Sequence, residues 1–284
     1  HLNIQVEKGG VVGLLGPNGA GKSTFMKMLT CYSAPTEGEA YVCGKNILND
    51  SVAVRRCIGY LPENNPLYDE MYVEEYLGFT AGMYGIKSNK KQKIKEMIGI
   101  TGLDLEKHKK IGALSKGYRQ RVGVAQAMIH DPEVMILDEP TSGLDPNQVE
   151  EIRNLIRNIG QEKTVILSSH IMQEVQAMCN RVIILSKGKM VADEATDELV
   201  NRMSGQTSLK VRFKEETAQE KLLNITGVEE ATKNGVYWVL KSRQLNEVDF
   251  GEKVFRFAAE INNPLIEMQK ESESLERVFQ ELTK

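Results

Sequence analysis

The chain has 284 residues, enough for about two domains. Its 36 basic and 39 acidic side chains leave a net charge of −3, which excludes a strong global pull toward nucleic acid, and 41 % hydrophobic residues support a buried core. No apolar run approaches the roughly 18 residues needed to cross a bilayer and no secretory leader opens the sequence, so a soluble protein is expected. Val11–Leu15 is a short apolar run that reads as a strand. Directly after it come Gly16, Pro17, Asn18, Gly19, Ala20, Gly21, Lys22, Ser23 and Thr24, and Lys22–Thr30 opens a helix. A glycine, four residues and then Gly-Lys-Ser is the pattern of a phosphate-cradling loop. Its glycines let backbone N–H groups crowd in on phosphate oxygens, and the helix dipole favours an anion at that end. Lys22 can reach the outer phosphates, and Ser23 offers a hydroxyl to Mg²⁺. A chance glycine-rich turn is the competing reading, and the flanking strand and helix disfavour it.

A mainly helical insert follows at about Val73–His130. Lys87, Lys90, Lys91, Lys93 and Lys95, with Lys107, Lys109 and Lys110, read as solvated helix faces ahead of a lipid- or partner-binding patch. Val134–Leu137, Thr164–Leu167 and Val182–Leu185 are further strands, apolar on both faces as in a sheet covered by helices. The first of them ends in Asp138-Glu139. Two carboxylates at the tip of a buried strand need a partner, and Mg²⁺ on Asp138 supplies one, leaving Glu139 to polarise water. Alone, the pair reads better as an exposed Asp-Glu turn; beside the phosphate loop that reading is disfavoured. Asp145 caps a helix with Pro146 at its first position and Gln148 completing a capping box, and Val149, Ile152, Ile156 and Ile159 form its apolar stripe. Cys31, Cys43, Cys57 and Cys179 show no paired spacing and read as isolated reduced thiols of a cytosolic protein, without a metal or disulfide role. From Gly205 the character changes to a small α+β domain. It shows a strand at Leu209–Phe213, a helix at Ala218–Leu223, a hairpin at Asn234-Gly235 returning through Val236–Leu240, and two more helical stretches.

Leu114-Ser-Lys-Gly-Tyr-Arg-Gln-Arg121 resembles the signature motif of ATP-binding cassette (ABC) ATPases; Ser142-Gly-Leu-Asp145 resembles their D-loop, and Ser169-His170 their switch histidine. With the phosphate loop and the acidic strand tip, five motifs stand in the family's order, so residues 1–204 are identified as an ABC ATPase domain of P-loop NTPase fold. Its helical subdomain is expected at about 73–130, followed by the α+β domain at 205–284. Within the family the chain is similar to ABC-2 export ATPases. Gly59–Tyr68 and His130–Val134 resemble the gliding-motility-associated ATP-binding subunit.

The resemblance implies roles. ATP and Mg²⁺ are the cofactors, with Ser23, Glu63 and Asp138 on the metal and Lys22, Glu139 and His170 catalytic. Ser115, Lys116, Gly117 and Tyr118 reach a nucleotide held by a second subunit, a copy of the chain or a related ATPase, and Asp145 belongs to the D-loop. The family works at the cytoplasmic face of the plasma membrane with an integral membrane permease, contacted near Asn64–Tyr84; nucleic acid is no partner. From the residues alone, Ser115 is an ordinary helix cap and a lone histidine more often a structural hydrogen-bonder, the reading kept for His1, His108 and His130. Two departures stand out. Glu63 occupies the place of a family glutamine, and the sequence opens within the strand leading to Val11, so an upstream strand and its adenine-stacking aromatic are expected to be missing. Soluble remodelling factors of the family carry two cassettes or a long coiled-coil insertion, and neither is seen. A nucleotide-gated scaffold without hydrolysis fits poorly with Glu139 and His170.

Overall fold

A computed structural model describes residues 2–199, 207–243 and 245–270. These divide into two compact units, one running to Thr196 and one from Asp197. The boundary expected at 204/205 lies outside the described residues, as do His1 and the stretch 271–284.

The first unit is built on a six-stranded sheet. Its strands are β1 (Gly10–Leu15), β4 (Ile58–Leu61), β5 (Val134–Asp138), β6 (Thr164–Ser169), β7 (Arg181–Ser186) and β8 (Lys189–Ala195), in the spatial order β4-β5-β6-β1-β7-β8. All pair in parallel except β8, which runs antiparallel beside β7. A two-stranded hairpin, β2 (Tyr41–Val42) with β3 (Lys45–Asn46), stands apart. The helices are α1 (Lys22–Leu29), α2 (Ser51–Cys57), α3 (Val73–Met83), α4 (Lys90–Ile100), α5 (Lys116–Met128), α6 (Pro146–Glu162) and α7 (Met172–Met178). Leu14, Met26, Ile136, Ile166, Ile183 and Leu185 meet in one buried cluster between sheet and helices, and each such side chain contributes about 1.5–3 kcal/mol by leaving water.

The register positions the site. Leu15 pairs with Ser169 and with Ile184, and Asp138 pairs with Ser168. The residue before the phosphate loop, the acidic tip and the serine before His170 therefore arrive at one carboxyl edge, where open α/β sheets hold ligands. In α6, Ile152, Ile156 and Ile159 are buried as the stripe predicts, and Leu155 joins them. The lysines of the insert meet water or carboxylates, among them Lys93–Glu96, Lys109–Glu106 and Lys110–Glu70.

Some expectations are corrected. Leu2–Lys8 forms no strand, and Gly9 and Gly10, at φ +92° and +79°, turn the chain into β1. Gln148 leaves its capping box half made: Asp145 accepts from the Asn147 and Gln148 amides, while the Gln148 side chain lies against Gly117. Cys43 and Cys57 are not isolated. Their sulfurs and a Glu133 carboxylate oxygen lie within 4.8 Å of one another, and Lys45 donates to the Cys57 sulfur at 3.0 Å. Burial, with the charges of Glu133 and Cys57 next, pushes the Cys43 thiol up to about 11.

The second unit holds an antiparallel sheet of β9 (Thr207–Phe213), β10 (Glu230–Asn234), β11 (Tyr237–Ser242) and β12 (Leu265–Lys270), ordered β10-β11-β9-β12. Helices Gln219–Leu223 and Glu247–Glu260 accompany it, and Phe250, Val254, Leu222, Val211, Leu240 and Trp238 share its core. The hairpin turn sits one residue later than expected. Asn234 pairs with Tyr237, so Gly235-Val236 is the two-residue loop, with positive φ at Gly235, the place glycine takes in a type II′ turn.

Candidate nucleotide site

A cavity of about 480 Å³ opens over the loop between β1 and α1. Asn18, Gly19, Ala20, Gly21, Lys22, Ser23 and Thr24 line it together with Glu63, Glu139, Ser142 and His170. Gly21 begins α1 at φ +104°, a backbone shape that a side chain strains. Lys22 is 6 % exposed; its ammonium donates to the Gly16 carbonyl at 2.6 Å and lies 3.6 Å from Glu139 Oε1. The loop is thus closed around a lysine already paired with the carboxylate across the cavity.

The acidic tip is held by hydroxyls. Asp138 is 2 % exposed, and its Oδ1 accepts from Ser168 Oγ at 2.6 Å and from Ser23 Oγ at 3.2 Å. Ser168 Oγ in turn accepts from the Glu139 amide at 2.9 Å. Glu139 adopts φ +49°, a left-handed conformation that costs a non-glycine residue on the order of 1–3 kcal/mol and gathers at functional sites. Its Oε2 lies 2.9 Å from His170 Nδ1. Lys22, Glu139 and His170 therefore form one chain of contacts along the cavity wall. The Tyr60 phenol reports the local field: it is pushed up to about 12, by burial first and then by the charges of Asp138 and Glu63.

The signature segment stands elsewhere. Ser115 caps α5, its Oγ accepting from the Tyr118 amide at 3.4 Å. Lys116 is exposed, and Gly117 is buried so closely on Gln148 that a Cβ there would lie 2.7 Å from the Gln148 amide. Ser115, Tyr118 and Asp145 line a second cavity, of about 290 Å³. Of the residues read from sequence, then, Gly16–Thr24, Glu63, Asp138, Glu139 and His170 come together, while Ser115–Tyr118 and Asp145 gather at another place. His130 keeps the structural role expected: Nε2 bonds the Ile58 carbonyl at 3.0 Å, the ring stacks on Tyr84 at 3.8 Å, and burial pulls its pKa down. His108 lies exposed near Glu74. Ser168, Thr141 and Glu174 escape the sequence reading. The first could have been suspected from its place at a strand tip beside the switch histidine; the other two carry no local signal.

A sequence profile of the family described as ABC transporter matches residues 1–142, and one described as AAA domain, putative AbiEii toxin, Type IV TA system matches residues 110–175. The chain belongs to the ABC transporter ATP-binding family. The cassette is 39 % identical to the bacitracin transport ATP-binding protein BcrA of Bacillus licheniformis, over 71 % of this chain and 66 % of the relative, just under two thirds of that protein's length. It is 37 % identical to the ABC transporter ATP-binding protein NatA of Bacillus subtilis (strain 168), over 70 % of this chain and 82 % of the relative. Among solved structures, it resembles the dimeric post-hydrolysis state of the ATP-binding cassette MJ0796 bound to ADP and Pi, with a TM-score of 0.62 and 25 % identity, over 69 % of this chain and 89 % of that one. No helix among the described residues is long and apolar enough to cross a membrane.

Proposed function

We propose that this chain binds and hydrolyses ATP as the cytoplasmic-face subunit of an ABC-2-type exporter, driving a separate membrane-spanning partner. The observation that carries the reading is the single cavity in which a phosphate-type loop, a lysine, a strained glutamate and a histidine converge. In the proposed cycle the triphosphate lies along Gly16–Thr24, its oxygens on backbone N–H groups and Lys22. Glu139 then gives up Lys22 to the phosphates and accepts a proton from the attacking water. His170, 2.9 Å from Glu139, orients the base and meets the charge developing on the terminal phosphate.

Magnesium fits the donor set. Ser23 and Asp138, in contact at 3.2 Å, and Glu63, which lines the same cavity as Ser23, offer hard oxygens. When bound, Mg²⁺ neutralises phosphate charge. Since Ser115–Tyr118 and Asp145 gather away from the phosphate cavity, we assign them to a nucleotide on a second subunit, a homodimer partner or a related ATPase. The helix start at Ser115 suits an anion brought from outside. Transport is favoured by the relative named for bacitracin transport; export follows the likeness to ABC-2 ATPases, and the narrower likeness to the gliding-motility-associated subunit rests on Gly59–Tyr68 and His130–Val134. A net charge of −3 favours no nucleic-acid partner. The test is ATP turnover by the purified chain, lowered at least about a hundredfold in Glu139→Gln while ATP still binds; an inactive wild type removes the reading, and equal turnover by the variant removes Glu139 as its base.

A further inference from the structure

We propose that Glu174 is a positioning residue for hydrolysis, a buried carboxylate that fastens the loop carrying Glu139 to the loop carrying His170. The inference rests on the hydrolytic reading above. Glu174 lies on α7 and is 5 % exposed. Its Oε2 accepts two hydroxyl hydrogen bonds, from Thr141 Oγ1 at 2.5 Å and from Ser169 Oγ at 3.0 Å. Thr141 and Ser169 are themselves 4 % and 1 % exposed. Thr141 follows Glu139 by two positions, and Ser169 directly precedes His170. Ser169 Oγ also accepts from the Ile171 amide at 3.0 Å, holding the far side of the histidine turn.

The sheet alone does not fix this spacing. The β5–β6 ladder ends at Asp138 opposite Ser168, one residue short of Glu139 and two short of His170, and Ser169 pairs only on its other side, with Leu15 of β1. Beyond that edge, the 2.9 Å contact between His170 and Glu139 depends on how the two loops are held apart. A carboxylate is costly to bury unless its oxygens are bonded, and bonds to an ionised oxygen are short and strong. One oxygen shared by two hydroxyls, one from the loop after Glu139 and one from the last residue of β6 before His170, converts that requirement into a fixed spacing. Thr141 leads on to Ser142 at the cavity wall and to Asp145 at the start of α6, so the same clamp sets the course of that loop.

The test is steady-state ATP hydrolysis by the full chain, with kcat and KM separated. Glu174→Ala should lower kcat at least about tenfold with KM for ATP within about twofold, because a loop shift near 1 Å misplaces base and histidine without removing a phosphate contact. Glu174→Gln, whose amide oxygen can accept both hydroxyls, should recover most of that loss. Thr141→Val added to Glu174→Ala should cost nothing more, since both remove the same link. An unchanged kcat in Glu174→Ala overturns the proposal. So does a loss that tracks the melting temperature and is not recovered by Glu174→Gln. If Glu174→Ala does not fold, Thr141→Val and Ser169→Ala, each removing one hydroxyl with little change of volume, carry the test, and wild-type kcat in both overturns it. Failure of the clamp is distinct from failure of the hydrolytic reading. In the first case the wild type turns over and Glu139→Gln does not; in the second the wild type itself is inactive, and the clamp falls with it.

Discussion

Replacing Glu139 by Gln separates chemistry from binding. The carboxylate is the group assigned to take a proton from the attacking water, and losing a general base costs roughly 10²–10⁴ in rate, so kcat should fall at least about a hundredfold. Binding should move the other way. Lys22 is paired with Glu139 at 3.6 Å. Two unit charges at that distance attract by about 1 kcal/mol in water and about 5 kcal/mol at an effective dielectric of 20. Both side chains are nearly buried, and the cost of taking each charge out of water offsets most of the larger figure. A triphosphate must break that pair to take Lys22, so removing the carboxylate's charge should tighten ATP binding by up to roughly fivefold, the equivalent of about 1 kcal/mol. The amide keeps nearly the same shape and can still face His170, so the fold is unaffected. Phosphate release and fluorescent-nucleotide titration read the two quantities. Turnover within tenfold of wild type refutes the base assignment, and loss of ATP binding refutes the claim that Glu139 competes for Lys22.

Two further outcomes follow from the same geometry. Glu63→Gln keeps an oxygen on the cavity wall, so hydrolysis should stay within about an order of magnitude of wild type; abolished turnover would give the carboxylate a role of its own. His130 is held neutral by burial, with its pKa below the usual histidine value. The folded chain therefore binds fewer protons there than the unfolded chain, and the associated stability is complete above about pH 6.5 and drains away as the pH falls through the lowered value. Urea midpoints measured from pH 7.5 to 5 should fall more steeply for wild type than for His130→Gln, and parallel curves would contradict the assignment.

Much of this architecture was legible because the central strands are apolar on both faces and end in polar tips. Val134–Leu137 and Thr164–Leu167 read that way, a residue or two short of the observed strands Val134–Asp138 and Thr164–Ser169, and tips on one sheet edge bring phosphate loop, carboxylates and histidine together. β4 escaped because Ile58–Leu61 is short and carries a glycine; that glycine sits where a Cβ would meet the Ala127 carbonyl at 2.3 Å, a fact of packing. Leu2, Ile4 and Val6 alternate as a strand does, yet they pack against the core without a sheet partner among the described residues. In the site, Ser168 had only its place near a strand tip to point to it and Glu174 had nothing, for a common reason. Their partners lie 30 and 33 positions away, at Asp138 and Thr141, and a serine in a strand or a glutamate in a short helix reads locally as ordinary polar surface. The split between the phosphate cavity and the Ser115–Asp145 cavity is likewise a property of the folded chain.

The composite site is tested most directly by the structure of the Glu139→Gln variant grown with ATP and Mg²⁺. Each triphosphate should lie on Gly16–Thr24 of one copy, beside Lys22, with Ser115 and Gly117 of the other copy against its terminal phosphate. A single copy enclosing its nucleotide with its own residues, or a nucleotide bound with Ser115 and Gly117 facing only solvent, would contradict the account.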